Sequence, residues 1–142
     1  MNARDLMTSN PACCTMDTPL RDVATMMVQC DCGEIPVVER EGLKRPVGVV
    51  TDRDIVCRSI AEGRDPLSMT AGNVMTSPAV TVKETDHVDS VKRLMETHQI
   101  RRIPVVDAKG EICGIVSVAD IARRDSQKQV GEVVKEVSAP AR

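Results

Sequence analysis

The chain has 142 residues, 42% of them apolar, which suits one domain or two half-size units that share a core. Its formal net charge of −2, its lack of basic runs and its lack of any Phe, Tyr or Trp argue against nucleic acid as a partner. No apolar run approaches the roughly 18 residues of a membrane span and the N-terminus carries no apolar signal region, so we expect a cytoplasmic protein.

The first half of the chain predicts a helix, two strands and a second helix, at residues 19–29, 35–39, 47–51 and about 52–62. Pro19 opens the first helix, whose apolar residues recur at i, i+3, i+4 and i+7. A turn containing Gly42 joins the two β-branched strands, and Gly63 ends the second helix. Residues 63–72, with two Gly and one Pro, are expected to link the two halves.

The second half predicts the same order of elements. An apolar stripe on the helix that begins near Val88 matches the stripe of the first helix, and strands and a helix follow at 103–107, 112–117 and 118–124. Beyond them, valines with a helical period occur within residues 126–138. We expect that segment to pack as a terminal helix or to contact another subunit.

One polar motif, Gly-x-x-[Thr/Ser]-x-x-Asp, occurs once in each half: Gly48, Thr51 and Asp54, then Gly114, Ser117 and Asp120. A hydroxyl followed three residues later by an acid is typical of a helix N-cap. The same hydroxyl and carboxylate could instead face a cleft, where the Asp accepts ribose hydroxyls and the helix N-terminus meets a phosphate. Periodicity alone leaves both interpretations open.

Six cysteines are present: Cys13, Cys14, Cys30, Cys32, Cys57 and Cys113. Their spacings do not fit the paired C-x₂₋₄-C ligands of structural zinc, so we expect no metal site. Small buried thiols are the simplest account. A redox role for the four cysteines nearest the N-terminus remains an alternative.

Three patterns together resemble the cystathionine-β-synthase (CBS) domain, which occurs in tandem: Met-Thr-Ser at 7–9 and 75–77, Ile-Pro-Val-Val at 35–38 and 103–106, and the strand-to-helix runs at 48–55 and 114–121. The resemblance covers roughly residues 3 to 124. It implies an α/β (α+β) fold of two β-α-β-β-α repeats packed as a pseudo-twofold pair. The implied segments are repeat 1 at 3–62, a linker at 63–72, repeat 2 at 73–124, and a C-terminal helix and tail at 125–142.

The resemblance also implies a regulatory module that binds an adenosine-containing ligand, such as AMP, ADP, ATP, S-adenosylmethionine or NAD(H), and needs no cofactor. In that family the motif Asp holds the ribose, and basic residues before the Pro-Val strand of the other repeat reach the phosphates. The first site would comprise Thr51, Arg53, Asp54, Arg101, Arg102, Ile103 and Pro104. A second, weaker site would comprise Ser117, Asp120, Ile35 and Pro36, and it would face Glu34, a poor neighbour for phosphate.

The family resemblance further implies a homodimer that signals to an unknown protein partner. One alternative is a structural or protein-interaction module whose clefts stay empty, and another is a cysteine-based redox sensor. We expect no catalysis, because the sequence contains no paired acid and base and no glycine loop of the Walker or Rossmann type.

Overall fold

The computed structural model describes residues 1–126. The terminal helix expected within 126–138 falls on residues beyond 126, so that prediction lies outside the described part. Among residues 1–126, no helix combines the length and the apolar character that a bilayer crossing requires.

The helices are α1 (Ala3–Leu6), α2 (Leu20–Cys30), α3 (Asp52–Arg58), α4 (Ala71–Val74), α5 (Val88–His98) and α6 (118–126). The strands are β1 (Thr8–Ser9), β2 (Glu34–Arg40), β3 (Leu43–Thr51), β4 (Val82–Lys83), β5 (Arg102–Val106) and β6 (Ile112–Ser117). The predicted mixture of helices and strands in two similar halves is confirmed.

The long helices α2 and α5 are equivalent in the two halves and end in the same way. Each places two apolar side chains of one stripe in the core, Leu20 and Val23 in α2 and Val91 and Met95 in α5. Each then ends at a residue in the left-handed conformation, with φ of 50° at Asp31 and 52° at Gln99. This sharp ending turns the chain straight into strand β2 or β5.

The helix expected at 52–62 is shorter than predicted. Helix α3 ends at Arg58, and Ile60–Glu62 forms a separate 3₁₀ turn that Gly63 closes with a φ of 72°. Between them the buried Ser59 donates its hydroxyl to the Ile55 carbonyl. This side-chain hydrogen bond takes the place of the next backbone hydrogen bonds of an α-helix. The prediction that α3 continues beyond Arg58 to residue 62 is therefore wrong.

Two hairpins form the sheets. Strands β2 and β3 pair antiparallel, with Pro36 opposite Val49. Strands β5 and β6 pair in the equivalent register, with Pro104 opposite Ile115, and β1 and β4 extend that sheet in the order β1-β6-β5-β4. The β-branched residues that predicted these strands fill the space between each hairpin and its helix.

The segment that begins each half completes the other half. Strand β1 pairs with β6, placing Thr8 opposite Ile115, and Ala3 of α1 lies in the core of the second half. In return, the Thr76 and Val49 backbones exchange hydrogen bonds of 2.8 and 3.0 Å, and Ala71 of α4 lies in the core of the first half. Part of the expected linker at 63–72 is therefore buried against the first half.

The two exchanged segments lie very close to the motif glycines. A Cβ built on Gly48 would lie 2.7 Å from the Thr76 carbonyl oxygen, and one on Gly114 would clash with the Met7 side chain. The glycine in Gly-x-x-[Thr/Ser]-x-x-Asp therefore permits the close crossing of the segment that arrives from the other half.

We predict that Gly48→Ala lowers the free energy of unfolding by about 1–3 kcal/mol, because the new methyl group meets a backbone carbonyl that is itself paired. Gly42→Ala is the matched control, since a Cβ there meets nothing within 4 Å. Urea unfolding followed by circular dichroism measures both variants. Equal stabilities for the two variants would contradict the proposed role of Gly48.

Candidate ligand-binding clefts

Both copies of the Gly-x-x-[Thr/Ser]-x-x-Asp motif form helix-capping boxes. Thr51 Oγ1 accepts the Asp54 N–H at 3.0 Å, and the Asp54 carboxylate accepts the Thr51 N–H at 3.0 Å. Ser117 and Asp120 form the same pair of bonds, at 3.1 and 2.9 Å. The N-cap interpretation is thus correct for both copies, and what remains open is the free acceptor capacity of each carboxylate.

The two carboxylates differ in what else surrounds them. The Thr76 hydroxyl lies 3.3 Å from both Asp54 oxygens, and the Arg58 guanidinium lies 3.9 Å from Oδ1. Asp120 instead pairs with Arg123, which is one turn along the same helix and 73% exposed. An exposed arginine can move aside at little cost, whereas Thr76 belongs to the segment that crosses from the other half. Asp120 is therefore the more available acceptor.

A cleft of about 640 Å³, here called the Asp120 cleft, lies between the two halves. Its size falls in the range of small-molecule sites. Ser117, Asp120 and Ile115 come from the second half, and Ile35 and the end of α2 come from the first. Its full lining is Thr8, Asn10, Pro11, Ala12, Cys30, Asp31, Cys32, Glu34, Ile35, Arg102, Ile115, Ser117, Ala119, Asp120 and Arg123.

A second cavity of about 540 Å³, here called the central groove, lies beside the first. Equivalent segments of the two halves line it: Gly33, Glu34, Thr51, Asp52, Arg53, Gln99, Ile100, Arg101, Arg102, Ser117, Val118 and Ala119. Four residues line both cavities: Glu34, Arg102, Ser117 and Ala119.

The predicted site residues divide between these two cavities. Those expected for the second site, Ser117, Asp120 and Ile35, meet in the Asp120 cleft. Those expected for the first site separate: Thr51, Arg53, Arg101 and Arg102 line the central groove, whereas Asp54 lines neither cavity among residues 1–126. The prolines Pro36 and Pro104 and the side chain of Ile103 are buried and support the strands.

Sequence reasoning underrated Glu34. It is 7% exposed, and among the described residues its Oε2 is a buried oxygen without a hydrogen-bond partner. Burial is the main cause that raises the pKa of this carboxyl to about 7; the Arg102 guanidinium opposes the rise and the nearby Asp54 carboxylate adds to it. The available signal was an acid at the start of a buried strand, at the position where the second half has Arg102.

The Asp120 cleft carries mixed charge. Three carboxyl groups line it, those of Asp31, Glu34 and Asp120, together with the guanidinium groups of Arg102 and Arg123. Sequence reasoning also missed Arg123, whose contact with Asp120 is an i,i+3 pair within α6. That spacing between an acid and an arginine is the signal that could have found it.

The cysteines of the described chain are free thiols. Burial raises the pKa of Cys13 and Cys32, and it raises that of Cys14 to about 12. A raised pKa leaves little thiolate at neutral pH, which argues against these three as reactive thiols. Cys30 is exposed at the edge of the Asp120 cleft.

Comparisons with known proteins agree with the sequence patterns. The CBS domain family model matches residues 3–59 and 71–126, which confirms the resemblance. The chain is 38% identical to the uncharacterized protein YlbB of Bacillus subtilis, covering 95% of this chain and 90% of that one. It is 33% identical to Hypoxic response protein 1 of Mycobacterium tuberculosis, covering 97% and 94%.

Solved structures give the same assignment of the fold. Hypoxic Response Protein I with two coordinated zinc ions superimposes with a TM-score of 0.78 at 35% identity, covering 87% of this chain and 98% of that one. The CBS domain protein PAE2072 from Pyrobaculum aerophilum, complexed with AMP, gives 0.77 at 33%, covering 84% and 89%. The CBS pair of MJ0100, complexed with 5′-methylthioadenosine and S-adenosylmethionine, gives 0.79 at 25%, covering 90% and 98%.

In residues 1–126 of this chain, no three His, Cys, Asp or Glu side chains lie together as a metal site would require. The zinc ions belong to the solved structure of the relative.

We predict that the stability of the fold falls as pH rises through about 7. The pKa of Glu34 is raised from 4.5 to about 7 in the folded chain. The protonated Glu34 therefore contributes its full stabilisation below about pH 4.5, and this contribution is lost as the pH rises through about 7. Between about pH 5 and pH 8 this group should lower the free energy of unfolding by about 2–3 kcal/mol.

Urea unfolding of the wild type and of Glu34→Gln across this pH range isolates that contribution, because the amide does not titrate. The difference in stability between the two proteins should change with pH in the stated direction. A difference that stays constant from about pH 5 to pH 8 would contradict the raised pKa of Glu34.

We also predict that Thr51→Ala and Ser117→Ala each lower the free energy of unfolding by about 1 kcal/mol, because each removes an N-cap acceptor. Thr51→Ser is the matched control, since it keeps the hydroxyl and should lie near the wild type. Circular dichroism melts measure all three, and an unaffected Thr51→Ala variant would count against the cap.

Proposed function

The chain belongs to the CBS domain family, and on that premise we propose that it is a non-catalytic regulatory module that binds an adenosine-containing ligand between its two halves. The observation that carries this proposal is the Asp120 cleft, which combines an available carboxylate, a helix N-terminus and apolar walls from both halves. The AMP held by PAE2072 and the two adenosyl compounds held by MJ0100 share the adenosine group, which supports this ligand class.

The chemistry of the cleft suits the parts of adenosine. Asp120 uses one oxygen in the cap, and its carboxylate retains acceptor capacity for the ribose hydroxyls once Arg123 turns away. Ile35 and Ile115 face the cleft from opposite halves, and together with Pro11 they offer an apolar slot for the adenine ring. Because the chain contains no aromatic residue, base binding depends on such aliphatic walls.

The phosphate groups of a longer ligand would extend into the central groove. Arg102 borders both cavities, and Arg53 and Arg101 line the groove beyond it. Guanidinium groups bind phosphate oxygens through paired N–H donors. We therefore propose AMP, ADP, ATP, S-adenosylmethionine and NAD(H) as the ligands to test. Three arginines of the expected first site, Arg53, Arg101 and Arg102, would bind the phosphates.

We further propose that two chains form a cytoplasmic homodimer that signals to a protein partner. Several large apolar side chains are exposed on the described surface, among them Val56 of α3, Ile60 and Leu67. Exposed apolar groups of this kind are typical of a contact surface when they lie together. A ligand would alter this surface only through different affinities for two states of the dimer.

A second candidate function is a protein-interaction module whose clefts stay empty. It is favoured by the capping boxes, because Asp54 and Asp120 both have a structural role without any ligand. The two functions differ in whether a change at Asp120 alters ligand affinity as well as stability.

We predict that AMP stabilises the wild type in a calorimetric melt. At an AMP concentration of about one hundred times the dissociation constant, the free energy of unfolding should rise by roughly 2.7 kcal/mol, which raises the melting temperature by roughly 5–10 °C. Asp120→Asn should lose most of this shift, because an amide nitrogen cannot accept a ribose hydroxyl. Asp54→Asn makes the same change in the other capping box and is the matched control, which should keep the shift.

The remaining ligands are tested in the same way. No shift with any of them would favour the interaction module. A shift that Asp54→Asn removes and Asp120→Asn retains would assign binding to the first half of the motif pair and overturn the choice of the Asp120 cleft.

A further inference from the structure

Glu34 is one of the four residues that line both the Asp120 cleft and the central groove. It is the first residue of β2 and is 7% exposed. Its Oε2 has no hydrogen-bond partner among residues 1–126. A buried, unpaired carboxyl oxygen is costly, so it indicates a group that a ligand or a proton satisfies.

The pseudo-twofold symmetry makes the position of Glu34 unusual. Glu34 is opposite Thr51 in the first hairpin, and Arg102 is opposite Ser117 in the second, so Glu34 and Arg102 are equivalent residues. One half therefore presents a carboxyl group where the other presents a guanidinium group, and both side chains line the same two cavities.

The charged groups around Glu34 have opposing effects on its charge. Arg102 favours the ionised carboxylate, whereas burial and Asp54 favour the neutral acid, and the resulting pKa is about 7. The other charged or titratable groups lining the two cavities come from the end of α2, from α3, from the start of β5 and from α6: Cys30, Asp31, Cys32, Asp52, Arg53, Arg101, Asp120 and Arg123. Small changes near Glu34 therefore alter its protonation near neutral pH.

We propose that Glu34 couples binding of a phosphate-bearing ligand to uptake of one proton in the Asp120 cleft. This inference rests on the proposed adenosine-binding function. With Glu34 protonated, its O–H donates to a phosphate oxygen and Arg102 is free to bind the same phosphate. With Glu34 ionised, its carboxylate repels the phosphate and engages the Arg102 guanidinium.

The coupling has a definite sign. A bound phosphate raises the pKa of Glu34 further, so the complex holds a proton that the free protein releases above about pH 7. The affinity for a phosphate-bearing ligand then falls by about tenfold between about pH 6 and pH 8. Adenosine carries no phosphate, so the affinity for adenosine should change much less with the charge on Glu34.

Isothermal titration calorimetry tests this with AMP and adenosine as probes, at several values between about pH 6 and pH 8, in two buffers of different ionisation enthalpy. The proteins are the wild type, Glu34→Gln, and Glu39→Gln as the matched control on the exposed part of the same strand. Because the phosphate of AMP itself titrates near pH 6, the proteins are compared with one another. Between about pH 6 and pH 8, the affinity of the wild type and of Glu39→Gln for AMP should fall about tenfold more than the affinity of Glu34→Gln.

Carbon-13 NMR of the wild-type carboxyl groups provides a readout that needs no variant, and AMP should raise the pKa of Glu34 while adenosine leaves it nearly unchanged. Equal pH dependence in the wild type and Glu34→Gln, with AMP bound, would overturn the proton coupling and leave the adenosine site intact. If the protein binds adenosine but does not bind AMP at any pH, the proton coupling is likewise overturned and the adenosine site stands. Absence of binding for both probes, in all three proteins, would overturn the adenosine-binding function itself.

Discussion

The pairing of each half with the starting segment of the other half is the constraint on which the structure depends. The Thr76 and Val49 backbones hydrogen-bond on one side, and β1 pairs with β6 on the other. A glycine at the motif position beneath each crossing leaves room for the segment that passes over it. The crossings hold the two capping boxes on either side of one interface, and both cavities lie along that interface.

Sequence patterns predicted most of the local structure, and the reasons are physical. The apolar stripes of α2 and α5 and the β-branched runs of both hairpins are periodic, so most predicted helices and strands match the structure within one or two residues. Strand β3 is the exception, because it begins at Leu43 and not at residue 47 as predicted. The end of α3 was not predictable in this way, because it depends on a side-chain bond from Ser59. Nor does a repeat period indicate on which half a segment packs, so the exchange of α1 and α4 required the structure.

The candidate site was only partly predictable for a related reason. The doubled motif identified Thr51, Asp54, Ser117 and Asp120, but it treated the two copies as differing only in neighbouring charge. The structure separates them by their further contacts: the Thr76 hydroxyl, from the crossing segment, lies 3.3 Å from the Asp54 oxygens, whereas Asp120 pairs with Arg123, an exposed arginine of its own helix. A pattern along the chain carries no information about which distant residue covers a carboxylate.

The exchanged segments also make each copy of the repeat depend on the other. A single copy would lack the segment that completes its sheet and would need a second copy to supply it. Because both copies occur in one chain, that pairing is intramolecular, with an effective concentration in about the millimolar range or above. Each copy therefore has one fixed partner that differs from itself, so that a carboxyl group of one half, Glu34, and a guanidinium group of the other, Arg102, line the same cavities.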